Sequence, residues 1–224
     1  LVEGIEEVGE MLAGRKAKPE GSLRISAPVA LAQRVLKEPL TSFASHHPGI
    51  NLHIELSDRF VDLVGEGFDL AIRIGHLEDS SLVARRLSDV PMVLVGAPIL
   101  LAEYGTPETP EDVTKIPFIH YASDRSVQRF KLQRGGDEPI QVITQARLST
   151  NNDQMMVSFA KAGQGLILLP KFMVESELQD GKLREILPDY RLFPERKLYA
   201  VFPHGRHLPL KTRALIDFLI DELA

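Results

Sequence analysis

Three short apolar runs, LRISAP at 23–28, NLHIELS at 51–57 and FDLAIRIG at 68–75, set the strongest limit on what this chain can become. Each has the length and patterning of a strand. A helical pattern follows the first run and continues to Phe43, with Pro39 acceptable in a first turn and marking a break before it. HHPG at 46–49 makes a turn. After the second run, Ser57 or Asp58 can cap a helix carrying Phe60, Leu63 and Val64, which Gly65 and Gly67 would end. Strands and helices alternating in this order predict a parallel sheet with helices on its faces.

A second series follows. VPMVLVGAP at 90–98 reads as a strand, and Thr109, Pro110, Glu111 and Asp112 form a helix start. PFIHYAS at 117–123 and QVITQARLST at 141–150 read as strands. NNDQMMVSFAKAG reads as a helix opened by Thr150 or Asn151 and closed by Gly163. GLILLP at 165–170 is a buried strand, and a short helix reaches Leu178. KLYAVFP at 197–203 is the last strand, before a helix with Leu215, Ile216, Leu219 and Ile220 on one face. The final strand and helix can return to the first series, which makes two α/β lobes with two crossings.

At 224 residues the chain suits one large domain or two small ones. A net charge of −5 argues against this segment being a main nucleic-acid surface, since phosphate binding needs clustered Lys and Arg. There is no Cys, hence no disulfide and no thiolate metal site. The longest apolar run, 92–102, is interrupted by Pro98 and is too short to span a bilayer. Position 1 is not Met, and the opening LVEGIEEVGE lacks a signal-peptide core, so the chain reads as a fragment. Leu1, Ile5, Val8 and Leu12 are spaced as a narrow heptad seam that Pro19 and Gly21 would end; a dimerising helix and a frayed helix packed on its own domain both fit.

Catalytic and cofactor patterns are missing. GQGL at 163–166 runs helix, Gly, strand, the reverse of a phosphate-binding turn, and reads as a helix stop. His204 and His207 are spaced HxxH in a loop, without the helical context of a zinc site. His46 and His47 sit at a helix end, where positive charge is favourable. No GxSxG and no carboxylate pair stands out, so neither an enzyme nor a cofactor is expected.

Taken together, GSLRISAPVALA, FASHHPGINLHIELSD, GEGFDLAIRIGHLEDSSLVARRL, LSTNND, AGQGLILLP, YAVFP and PLKTRALIDFL resemble the effector-binding domain of LysR-type transcriptional regulators, in that family's order and across almost the whole chain. The resemblance implies an α/β fold of two Rossmann-like lobes joined by two crossing strands, periplasmic-binding-protein-like (type II). Residues 1–20 would be the end of a linker helix, 21–88 plus 200–224 the first lobe, and 89–199 the second. A small-molecule effector would bind in a cleft between the lobes. DNA would be bound through an N-terminal helix-turn-helix domain absent from this chain. The protein would form a homodimer or homotetramer, with no membrane, in the cytoplasm. A solute receptor of a transport system with the same two-lobe architecture is the alternative.

The candidate effector contacts follow from strand ends, because ligands of open α/β sheets bind beyond the carboxyl ends of strands. The resemblance points to Ser26, Ala27, Pro28, Val29 and Ala30 after the first strand, although Val29 and Ala30 stand where a Ser or Thr is common. Asp58 and Arg59 follow the second strand. Arg73, near the end of the third, would offer a fork of donors to an anionic effector; an ion pair with Asp58 or Asp69 is the competing explanation. His120, Ser123, Thr150, Asn151 and Asn152 are the second lobe's candidates, with a structural hydrogen bond competing for His120 and helix capping for Asn151 and Asn152.

Overall fold

A computed structural model describes residues 18–75, 82–121, 127–204 and 208–223. The heptad seam, Ser123 and His207 lie outside the described residues. The chain divides into two compact units, Leu1–Ser88 with Lys197–Ala224, and Asp89–Arg196.

The first unit is built on a five-stranded sheet in the order β2-β1-β3-β12-β4. Its strands are β1 (Gly21–Ala27), β2 (Ile50–Leu56), β3 (Leu70–Gly75), β4 (Leu82–Val90) and β12 (Arg196–Pro203). The three apolar runs pair in parallel, β1 with both β2 and β3. The returning β12 is antiparallel to β3, with Lys197, Leu198 and Tyr199 opposite Gly75, Ile74 and Arg73. These three residues, expected in the second lobe, therefore belong to the first sheet. Leu23, Ile25, Leu70 and Ile72 are fully buried. One chain of helix joins β1 to β2. It comprises α1 (Val29–Leu31), a π-helical turn (Ala32–Leu36) and α2 (Lys37–His46). The wide turn lies just ahead of Pro39, whose ring and missing N–H are incompatible with an unbroken α ladder. Phe43 on α2 meets Phe218 of α6 (Leu210–Glu222) edge-on at 5.5 Å between ring centroids. Thr212, Leu215, Ile216 and Leu219 form the buried face of α6, while Ile220 is only partly covered.

No helix forms between β2 and β3; residues 57–67 make turns instead. Asp58 does cap a helix, but the neighbouring one: its Oδ1 accepts from Val29 N–H at 3.0 Å. Asp62 closes a local turn by accepting from Gly65 N–H at 3.0 Å, and Gly67 adopts φ +70°. The three apolar residues expected to share a helical face part company. Leu63 is buried, whereas Phe60 and Val64 are 90% and 72% exposed.

The second unit holds a three-stranded sheet, β10-β5-β9, and a four-stranded sheet, β11-β7-β8-β6. Their strands are β5 (Met92–Gly96), β6 (Phe118–Tyr121), β7 (Val127–Arg134), β8 (Ile140–Thr150), β9 (Ile167–Pro170), β10 (Arg184–Ile186) and β11 (Tyr190–Phe193). Most pairings here are antiparallel; β6 with β8 is parallel. Ile119 N–H donates to Leu166 C=O at 2.9 Å and Leu166 N–H to Pro117 C=O at 2.8 Å, which ties the two sheets together. Leu94, Leu100, Val113, Phe118, Phe130, Val142 and Leu166 share one core. The helices are α3 (Pro98–Tyr104), α4 (Asp153–Lys161) and α5 (Glu175–Gln179). The start expected at Thr109 opens only a 3₁₀ turn, Asp112–Lys115, because Pro117 forces the preceding residue out of helical conformation.

GQGL is a helix stop. Gly163, at φ +73°, follows α4, and Gln164 N–H donates to Phe159 C=O at 3.0 Å in a Schellman closure. A Cβ on Gly165 would stand 2.8 Å from the Pro117 carbonyl oxygen, so the strand-to-strand approach requires glycine.

Candidate functional site

Parallel register decides which side chains meet in the first unit. Ser26 lies opposite Glu55 on β2 and Ala71 on β3, and laterally paired residues share a sheet face. Period-two alternation then puts Arg24, Ser26, Glu55 and Arg73 on one face, opposite to Leu23, Ile25 and Ile72. This explains an arginine inside an apolar run: Arg73 points away from the face that buries Leu23, Ile25 and Ile72.

Arg73 sits two residues before the carboxyl end of β3. Its Nη2 donates to Ser26 Oγ at 2.9 Å and to the Arg59 carbonyl at 3.1 Å, and its Nη1 to the Ile72 carbonyl at 3.1 Å. All three acceptors are neutral. Asp58 is engaged by Val29 N–H, and Asp69 by Arg24 N–H at 2.7 Å and Lys211 Nζ at 3.3 Å. Neither carboxylate forms the expected ion pair with Arg73. Burial pulls the Arg73 pKa down, the Asp58 charge opposes that shift, and Arg59 adds to it. The guanidinium nevertheless stays protonated. It is a partly buried cation with hydrogen-bond donors to spare and, among the described residues, no direct counter-ion.

The neighbours are more fully engaged. Ala27 C=O accepts from Ser57 N–H at 2.9 Å, and Pro28 C=O from Ala32 N–H at 2.9 Å. Asp58 already fills the Val29 amide at the helix start. Arg59 turns its guanidinium to Glu66, with Nη1 2.7 Å from Oε1 and Nη2 bonded to Oε2. The hydrogen bonds from Arg59 and the Asp62 N–H lower the Glu66 pKa to about 2. Glu55 and Glu66 were absent from the sequence-derived set. The register that brings Glu55 beside Ser26 is the signal that finds it; Glu66 reaches Arg59 only because residues 57–67 fold back as turns. Arg24 binds both, through Nη2 to Glu55 Oε2 at 3.2 Å and Nη1 to the Glu66 carbonyl.

The second unit uses its candidates differently. His120 is 1% exposed, and its Nε2 lies 2.9 Å from Thr144 Oγ1, which is also buried. Thr150 Oγ1 accepts from Asn152 N–H at 3.1 Å. The cap of α4 is Asn152, not Thr150 or Asn151: Asn152 Oδ1 accepts from Met155 N–H at 3.0 Å. Asn151 is exposed, without a side-chain hydrogen bond among the described residues.

The LysR substrate binding domain family matches residues 16–224. The HTH-type transcriptional activator AaeR of Escherichia coli K12 is 33% identical over 221 residues, covering 99% of this chain and 71% of that protein. The full-length structure of the Vibrio cholerae virulence activator AphB superposes with a TM-score of 0.73 at 27% identity, covering 98% of this chain and 74% of that one. CrgA, a LysR-type regulator from Neisseria meningitidis, gives a TM-score of 0.74 at 25% identity, over 99% and 74% of the two chains. With the family matched across both units, and with mixed α/β sheets like those of solved regulatory domains, the chain belongs to the LysR substrate-binding domain family and is the effector-sensing domain of a LysR-type transcriptional regulator.

Proposed function

We propose that the effector is anionic and is gripped at the strand ends of the first unit, with Arg73 as its principal partner. The observation that carries this reading is the pairing state of Arg73. A partly buried guanidinium bonded, among the described residues, only to Ser26 Oγ and two carbonyls retains charge that a carboxylate can satisfy. Ser26 fixes one branch of the fork, and the chain around Pro28, Val29 and Ala30 supplies backbone beside it. Asp58 and Arg59 act as gatekeepers, because their charges are spoken for by Val29 N–H and Glu66. His120 and Asn152 are structural in this reading, and Thr150 supports Asn152.

Effector binding shifts the domain between conformations and passes that bias to a dimer or tetramer on DNA, which other parts of the regulator contact. A coupling of ~1–3 kcal/mol gives a several-fold to hundredfold response. The domain senses its ligand without turning it over, in the cytoplasm. The relatives compared above are transcriptional regulators, so the transport-receptor alternative is not favoured. A thermal-shift screen of small carboxylates and sugars tests the ligand class, since a ligand of the native state raises the melting temperature. Stabilisation by carboxylates and not by sugars is expected; stabilisation by sugars alone would refute the anionic assignment.

A further inference from the structure

One face of the four-stranded sheet in the second unit is exposed over β7, β8 and β11. Phe130, Leu132, Val142 and Leu192 point from these strands into the core. Alternation puts their neighbours on the opposite face, where Arg129, Lys131, Ile143, Arg147, Arg191 and Phe193 are all exposed. Pairing fixes the layout: Arg129 lies opposite Ile143, Lys131 opposite Phe193, and Arg191 opposite Gln133. The other residues of this face, Val127, Gln133, Gln141 and Gln145, are uncharged. Four cations therefore share a face with no carboxylate on it, in a chain of net charge −5. Among the described residues, the side chains of Arg129, Lys131 and Arg147 have no hydrogen bond or ion pair. Arg191 Nη1 donates only to the Pro188 and Tyr190 carbonyls, and Asp137, at the hairpin turn, pairs with Arg134 at 3.6 Å. Asp189 and Glu195, on either side of β11, form no ion pair with any of the four.

From this row of unpaired cations with an apolar side chain on either side, we propose that the open sheet face docks an acidic amphipathic helix of a partner protein. Arg129 and Lys131 lie two residues apart on β7, which is ~6.7 Å of strand. Acids at i and i+4 of a helix are spaced ~6 Å along its axis, so a helix lying along β7 sets one carboxylate over each cation. Ile143 and Phe193 stand on the strands that flank β7 and are 45% and 41% exposed. Their strands are ~10 Å apart, about the width of a helix with its side chains, so both can touch the apolar flanks of the same helix. Arg191 and Arg147 continue the positive charge beyond the two ends of the Arg129–Lys131 pair. The net negative charge of the chain repels an acidic partner elsewhere, which favours encounter at this face. A nucleic-acid backbone would satisfy the cations but would leave Ile143 and Phe193 against phosphate and sugar, so the pair of apolar residues favours a protein helix.

The test titrates this chain, followed by amide NMR, with a helical peptide of about 20 residues that carries a stripe of Glu at i, i+4 spacing flanked by Leu. Saturable shifts concentrated in β7, β8 and β11 are expected. The double variant Arg129→Glu with Lys131→Glu should weaken the peptide at least about ten-fold by placing like charges face to face. Ile143→Gln with Phe193→Gln should weaken it at least about three-fold. Both double variants should melt as the wild type does, because every side chain changed is exposed. Arg34→Glu, an exposed change in the first unit, should leave binding intact. The absence of saturable shifts overturns the proposal. So does a peptide with Leu replaced by Gln that binds as well as the parent, since charge alone would then account for the contact. Tighter binding of a duplex DNA of about 20 base pairs, lost in the Arg129→Glu with Lys131→Glu variant, also overturns it and makes the face a nucleic-acid surface.

Discussion

Both units place polar side chains at the carboxyl ends of their strands, and the two groups end in opposite states. In the first, Arg73 is partly buried, charged and, among the described residues, bonded only to neutral acceptors. In the second, His120 is sealed against Thr144, and Asn152 is consumed as the cap of α4. Position at a strand end therefore does not define a contact residue. What separates the two groups is charge: the first keeps a cation beside neutral acceptors, and the second joins neutral side chains.

Substituting His120 challenges this contrast most strongly. His120→Ala removes a large buried side chain and strands Thr144 Oγ1, with an expected loss of about 3–4 kcal/mol of stability in chemical denaturation. Effector affinity, measured well below the midpoint, should not change; a selective loss of affinity would make His120 a ligand contact after all. Asn152→Ala should cost about 1 kcal/mol through the lost cap, again without touching affinity. Asp58→Asn keeps an acceptor for Val29 N–H and removes a charge near Arg73. Calorimetry of an anionic ligand should show tighter binding by about 0.5–1 kcal/mol, and weaker binding would mean that Asp58 itself contacts the ligand.

Acid should give the smallest effect. The folded Glu66 pKa is lowered to about 2 from an ordinary value near 4.5, so its contribution to stability is complete above that ordinary value. It fades as pH falls through the window between them. Glu66→Gln should remove that portion of the acid dependence, as read by the pH dependence of the melting temperature; an unchanged profile would place the titration elsewhere.

The sequence showed the parallel core of the first sheet because LRISAP, NLHIELS and FDLAIRIG carry their burial in their patterning. It hid β4, LVARRLSDV, and β7, VQRFKLQR, whose charged residues mask the few buried positions such as Leu87, Phe130 and Leu132. The helix read over Phe60, Leu63 and Val64 failed because Asp58 is drawn to Val29 N–H, a contact 29 residues away that no local pattern encodes. Arg73 was visible as an anomaly, but its partners were not. An ion pair with Asp58 or Asp69 was reasonable until the fold gave each of those carboxylates another donor.

The most direct measurement is the affinity of Arg73→Ala for a carboxylate that stabilises the wild-type chain. A loss of about 2–3 kcal/mol, with the unliganded melting temperature nearly unchanged, is expected of a charge-assisted contact at a cation with no counter-ion among the described residues. Unaltered affinity together with a clearly lower melting temperature would show that Arg73 holds the sheet together and leaves the ligand to other residues.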